Sequence, residues 1–177
     1  MTSQQARHNL LSPKPARRHE GVMSSPKDHL LEAIELARDN VRRGGRPFGA
    51  VVVKDGQVIA RGVNEMLATH DPTAHAELLA LRAAGRALGS PRLDGCSVYA
   101  SGQPCPMCFA AMRMAGIEHV AFAYSNADGE PYGLSTAAVY AELAKPPTEQ
   151  RLKAVHMPVQ SGGTVELYEL WREATRK

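Results

Sequence analysis

Ala50-Val51-Val52-Val53-Lys54-Asp55-Gly56-Gln57-Val58-Ile59-Ala60 sets the frame of this chain. Two apolar runs flank Asp55-Gly56, and a two-residue Asp-Gly link marks a tight hairpin because both turn positions need positive φ. Upstream, Ser25-Pro26 places an N-cap before a proline suited to the first helical position. Leu30, Ile34, Ala37 and Val41 then recur at helical spacing until Gly44-Gly45 ends the helix. Downstream, residues 65–73 read as a polar loop, and a second helix begins near Thr73 with Leu78, Leu79 and Leu81. Ser97-Val98-Tyr99-Ala100 reads as a third strand, and a third helix starts at about Cys105 and carries Ala110, Met112 and Met114. Val120-Ala121-Phe122-Ala123 is a fourth strand. A helix over about 135–143, a strand over about 153–158 and an amphipathic helix with Leu167, Leu170 and Trp171 follow. The order α-β-β-α-β-α-β-α-β-α predicts an α/β fold with a central five-stranded sheet covered by helices on both faces. No internal repeat or second domain is visible, so residues 25–177 read as one domain.

A chain of 177 residues suits a single core of ordinary size. No apolar run approaches the roughly 20 residues needed to span a membrane, and no apolar segment of a secretory signal follows the N-terminus. Three cysteines cannot make a disulfide framework, and two of them sit three apart. That spacing reads as metal ligation in a reducing compartment, so a cytoplasmic protein is expected. Residues 1–24 are rich in Ser, Gln, Pro and Arg without an apolar period, and read as a disordered leader. Their Arg-rich, acid-poor composition leaves an organellar transit peptide open beside a solvated tail. The formal charge of +3 resides within residues 1–25, so the remainder carries no net excess. A nucleic-acid enzyme usually needs a basic footprint; the neutral body favours a small-molecule substrate.

The chemistry concentrates in His75-Ala76-Glu77 and Pro104-Cys105-Pro106-Met107-Cys108. Zinc takes nitrogen and thiolate donors in a tetrahedron, and three protein ligands leave one open position for water. Cys105 and Cys108 at i and i+3 share one face of a helix, whose N-terminus favours thiolates. Pro104 and Pro106 are tolerated there because the first backbone donors have no intrahelical partner. His75 completes the set from the start of the other helix. Glu77 is assigned as proton carrier rather than fourth ligand, since a carboxylate beside the metal can take a proton from water and return it. A purely structural zinc site would need a fourth Cys or His, and none lies beside either motif.

His-x-Glu followed by Pro-Cys-x-x-Cys is the signature of zinc deaminases. Together with Pro47-Phe48-Gly49-Ala50-Val51-Val52-Val53, Asn64 and Asp71-Pro72-Thr73-Ala74, it makes residues 25–175 resemble the cytidine deaminase-like superfamily. Tyr140-Ala141-Glu142-Leu143-Ala144-Lys145-Pro146 and Trp171-Arg172 are similar to bacterial guanine deaminases and related nucleobase deaminases. The resemblance implies a three-layer α/β/α sandwich on a mixed sheet, a homodimer that can exchange C-terminal segments, and hydrolytic deamination of a ring with Zn2+. It also implies substrate contacts from Asn64, Phe48, the Ala76 backbone and Pro104. Departures from it include Gln103, where relatives carry Glu, Ser135-Thr136, where guanine-specific relatives tend to carry Asp, and Met114, where they can carry Trp. A buried acid would pair with the N–H edge of guanine, so the reaction class transfers while the ring stays open.

The competing reading is a tRNA adenosine deaminase, which shares both motifs and acts on a flipped base. A catalytically silent zinc protein is a third, and intact Glu77 argues against it. His70 reads as a solvated loop residue, and His8, His19, His29, His119 and His156 have no partner at metal spacing. Cys96 reads as a small core residue, and Met107, Met112 and Met114 as helix packing, with Met114 also a candidate pocket wall.

Overall fold

The computed structural model describes residues 25–159 and 167–176; the leader reading for 1–24 lies outside them. α1 (Pro26–Arg42) starts from an N-cap at Ser25, where Ser25 and Asp28 form a reciprocal capping box, and Pro26 occupies the first turn. β1 (Gly49–Lys54) and β2 (Gln57–Val63) form the expected hairpin. Its turn residues Asp55 and Gly56 have φ of 49° and 75°, the positive pair that a primed turn demands. A bulge between Val52 and Val53 shifts the register of the pair.

α2 (Met66–Thr69) is a short helical turn inside the predicted polar loop. It leads to α3 (Ala76–Leu88), β3 (Cys96–Gly102), α4 (Pro106–Ala115) and β4 (His119–Tyr124). A short α5 (Asn126–Gly129) and a 3-10 turn (Glu130–Tyr132) precede α6 (Ala137–Leu143), and α7 (Leu167–Ala174) follows later. The sheet runs β2-β1-β3-β4. β1 pairs antiparallel with both neighbours, while β3 and β4 are parallel, so the sheet is mixed.

β1 is buried on both faces, which fits its unbroken apolar run. On one face, Ala50, Val52, Ala60, Val98 and Ala100 pack with Ala76, Ala80, Leu81 and Ala84 of α3 and with Cys108 and Met112 of α4. On the other face lies α1, where the His29 ring sits 4.9 Å from that of Tyr99. Two glycines permit this closeness. A Cβ on Gly49 would strike the Ala33 carbonyl of α1, and a Cβ on Gly62 would strike the Ala76 carbonyl of α3.

Three sequence expectations are corrected. Among the described residues the sheet has four strands, not five. Residues 153–158 are irregular and exposed, because their strand-like composition meets no sheet edge to pair with among the described residues. The stripe that α1 buries is His29, Ala33, Ala37 and Asn40 rather than Leu30, Ile34, Ala37 and Val41. Small side chains let the helix sit close on the sheet, and this rotation leaves Val41 49% exposed. Met114, expected as helix packing, is 80% exposed near the end of α4, whereas Met112 is buried.

Candidate active site

Two helix N-termini converge on one side of the sheet. His75 is the N-cap of α3 and Cys105 the N-cap of α4, both in extended backbone conformation. Neither side chain caps its own helix; both turn instead toward each other. Cys108 lies one turn into α4 and is fully buried. His75 Nδ1 is 3.6 Å from Cys105 Sγ and 3.5 Å from Cys108 Sγ, and the two sulfurs are 3.6 Å apart. A tetrahedral zinc ion at ordinary Zn–S and Zn–N bond lengths needs edges of about 3.6–3.8 Å. The three donors match it without rearrangement. The three residues form the only group of this kind among the described residues.

The electrostatics of the cluster are those of a site that wants a cation. The Cys105 thiol is pulled down to about 4, chiefly by its hydrogen bond with Cys108. Cys108 is pushed up because it shares its proton with the Cys105 sulfur and because burial opposes its ionisation. His75 is raised by its contact with the Cys105 sulfur. One metal ion replaces these shared protons with a charge that no single side chain can supply.

Glu77 occupies the first turn of α3, two residues after His75, and is 6% exposed. Burial raises its carboxyl above the ordinary range, and the Cys105 charge adds to the effect. A carboxylate with raised proton affinity beside a metal site suits proton transfer at neutral pH.

Further contacts brace the corner beside the cluster. Asn64 is buried at the end of β2, with its backbone N–H donating to the Phe48 carbonyl at 3.1 Å and its Oδ1 accepting from Met66 N–H at 3.2 Å. Glu65 N–H donates to the Ala74 carbonyl at 2.9 Å, tying this corner to the residue before His75. Asn40 of α1 braces the corner by donating to the carbonyls of Arg46 and Asn64, both at 2.8 Å. Ala76 is buried at the start of α3, and Pro104 is fully buried beside Cys105. Phe48 is placed differently from the other candidates: its ring lies against Gly102, with the Arg46 guanidinium 5.8 Å from the ring centre. It also lines an apolar groove of about 560 Å3 between α1 and the β4–α5 segment, which contains none of the metal donors.

Sequence reasoning missed a set of contacts from α6 and its approach. The Tyr140 hydroxyl donates to the Pro104 carbonyl at 2.7 Å. Asn126 N–H donates to Gln103 Oε1 at 3.0 Å, and Asn126 Oδ1 accepts from the Thr136 N–H and hydroxyl. The Thr136 hydroxyl is thus turned toward Asn126. No local pattern signals these pairs, which join residues 10 to 36 positions apart.

Residues 23–124 match the family model described as the cytidine and deoxycytidylate deaminase zinc-binding region. The chain belongs to this family of zinc-dependent deaminases, and Zn2+ is its metal. It is 38% identical over 149 residues to the guanine deaminase of Bacillus subtilis, covering 84% of this chain and 94% of that protein. The crystal structure of a Bacillus subtilis guanine deaminase superposes with a TM-score of 0.78 at 36% identity, covering 87% of this chain and 98% of that one. A tRNA-specific adenosine deaminase of Aquifex aeolicus is 35% identical over 135 residues, 76% of this chain and 87% of that protein.

Proposed function

We propose that this protein hydrolytically deaminates a nucleobase-like ring, guanine or a related purine, triazine or pyrimidine base or nucleoside, and releases ammonia. The observation that carries the reading is a buried carboxylate, Glu77, on the same helix turn as one donor of a tetrahedral His-Cys-Cys cluster. His75, Cys105 and Cys108 hold zinc. Bound there, the ion supplies the Lewis acidity that makes water a nucleophile near neutral pH. Glu77 would carry the two protons of the attacking water in turn, the first to a ring nitrogen and the second to the departing amine. Over the whole reaction the water oxygen replaces the amine nitrogen on the ring carbon, and ammonia leaves. Asn64 donates to a ring acceptor, the Ala76 backbone meets a polar edge, and the Pro104 carbonyl accepts from the exocyclic amine, while Phe48 faces the groove that holds none of the metal donors.

Likeness to guanine deaminase over most of both chains supports a free base. The neutral net charge of residues 26–177 supports it too. Thr136 tempers guanine itself, because its hydroxyl is engaged by Asn126 and no carboxylate stands there. Ammonia release from zinc-loaded protein is the test, with guanine, adenine, cytosine, their nucleosides and a tRNA anticodon stem as substrates. Turnover of one or more free bases is expected. Turnover of the RNA alone would overturn the reading in favour of a tRNA adenosine deaminase.

Residues 25–177 act as one domain in this reading, and the working form is a cytoplasmic homodimer. The two thiol ligands need a reducing compartment. The apolar groove lined by Ile34, Ala37, Val41, Phe48, Tyr124 and Tyr132 is open, β4 has a free outer edge among the described residues, and α7 exposes Leu167, Leu170 and Trp171 on one face. A second copy can cover all three. Sedimentation equilibrium giving the mass of one chain would refute the dimer.

A further inference from the structure

α6 lies beside the metal cluster although none of its residues belongs to either signature motif. Its Tyr140 reaches back across 36 residues to the carbonyl of Pro104, the residue immediately before the ligand Cys105. Pro104 is fully buried, so its carbonyl has no bulk water to satisfy it, and a buried carbonyl without a donor is costly. A carbonyl oxygen has two lone pairs. The Tyr140 hydroxyl takes up one of them and leaves one for a second donor.

The same helix is braced at its N-terminal end as well. Gln103, immediately before Pro104, accepts from Asn126 N–H at 3.0 Å, and its own N–H donates to the Tyr124 carbonyl at 2.7 Å. Asn126 in turn holds the Thr136 N–H at 2.9 Å, at the N-cap of α6. The two residues before Cys105 are therefore each tied to the α6 unit, one directly and one through Asn126. α6 is a helix of seven residues with no buried side chain, too short to be held by its own hydrogen bonds. These tethers place it.

We propose that Tyr140 is a positioning residue for the deamination, fixing the Pro104 carbonyl so that its remaining lone pair meets the exocyclic amine, with Gln103, Asn126 and Thr136 holding α6 in register. This rests on the reading of a nucleobase substrate given above. The hydroxyl acts through the carbonyl and not on the ring, so its removal discriminates between rings that carry the amine and rings that lack it.

The test uses zinc-loaded full-length protein carrying Glu77→Gln, which slows turnover enough for equilibrium binding to be measured. The probes are three pairs that differ only at the reacting carbon: guanine and hypoxanthine, adenine and purine, cytosine and pyrimidin-2-one. Tyr140→Phe in this background removes one oxygen and keeps the ring packing. The expected result, for whichever pair binds, is affinity for the amine-bearing ring reduced about 3- to 10-fold, the range set by one neutral hydrogen bond, with the hydrogen-bearing ring unchanged. Zinc content is expected to stay at one ion per chain. Asn126→Ala is expected to reproduce the loss in part. Equal weakening of both members, loss of zinc, or no change in either overturns the positioning role while leaving the nucleobase reading intact. Failure of every ring to bind before Tyr140 is altered overturns both.

Discussion

Gly62→Ala is the most incisive single change. The added methyl carbon would lie 2.6 Å from the Ala80 backbone nitrogen and closer still to the Ala76 carbonyl oxygen, both in the backbone of α3. Carbon contacts are comfortable near about 3.5 Å, so the start of α3 must retreat by roughly 1 Å. Neither contact is the tip of a flexible side chain, so no rotamer change relieves the strain. Gly62 has no positive φ, which leaves the clash as the main penalty of the substitution. Overpacking of this kind costs about 1–3 kcal/mol. The functional effect is larger than that range implies, because Ala76 lies between His75 and Glu77 while Cys105 and Cys108 sit on α4. Retreat of α3 moves the histidine and the carboxylate away from the two sulfurs. A misplacement of about 1 Å can cost on the order of 100-fold in rate. Purified variant and parent would be compared for kcat/KM, zinc content and Tm. Gly85→Ala in the same helix is the control, since its methyl meets only the Ser90 carbonyl at 3.2 Å, and alanine favours helix. Gly62→Ala with parental kcat/KM and parental zinc affinity would refute the idea that the close β2–α3 approach sets the site geometry.

Glu77→Gln should lower kcat by about 100- to 10,000-fold, the usual range for loss of a general acid–base group, while zinc content by atomic absorption stays unchanged; near-normal turnover would remove Glu77 from the mechanism. Zinc affinity should fall with acidification. Cys108 and His75 are raised in the metal-free cluster, so metal uptake displaces protons, and the apparent Kd should weaken by up to about tenfold per pH unit for each proton displaced. Competition with a chelator across neutral pH measures this, and a flat profile would contradict it. Asp28 is held below its ordinary value of 3.8 mainly by hydrogen bonds with Ser25. A depressed folded pKa means its contribution is present above that value and lost as pH falls through the lower folded one. Asp28→Asn should therefore lower Tm at neutral pH, with the gap to the parent closing as the pH falls below 3.8 and through the lower folded value; a gap that persists in strong acid would point to packing instead.

What the sequence determined by itself is local and chemical. Asp55-Gly56 requires positive φ at both positions, and only a tight hairpin accommodates that. Ser25-Pro26 with Asp28 encodes a helix start in neighbouring residues. The metal cluster was legible because its parts lie at helix beginnings: His75 and Cys105 are both N-caps, and Cys108 falls one turn after Cys105. The hairpin, the helix start and the Cys105–Cys108 pair depend on contacts only a few residues apart, whereas His75 reaches the two sulfurs from 30 and 33 residues away.

Tertiary structure decided whatever depends on which partner arrives. Ala154-Val155-His156-Met157 has the composition of a strand, but a strand exists only through its ladder, and this segment meets no edge among the described residues. The buried stripe of α1 was misread by one residue because alanines pack closer to the sheet than Leu30 or Ile34 can, and hydrophobicity ranks them the other way. Met114 occupies an apolar position in the pattern yet points to solvent at the end of α4. The hydroxyl of Tyr140 on the Pro104 carbonyl joins two segments whose proximity follows from β4 running parallel beside β3 and carrying the chain to that side of the site. Composition and spacing specify which groups can bind a metal and move a proton; the fold alone selects which distant side chain completes the wall around them, because that choice is made by packing.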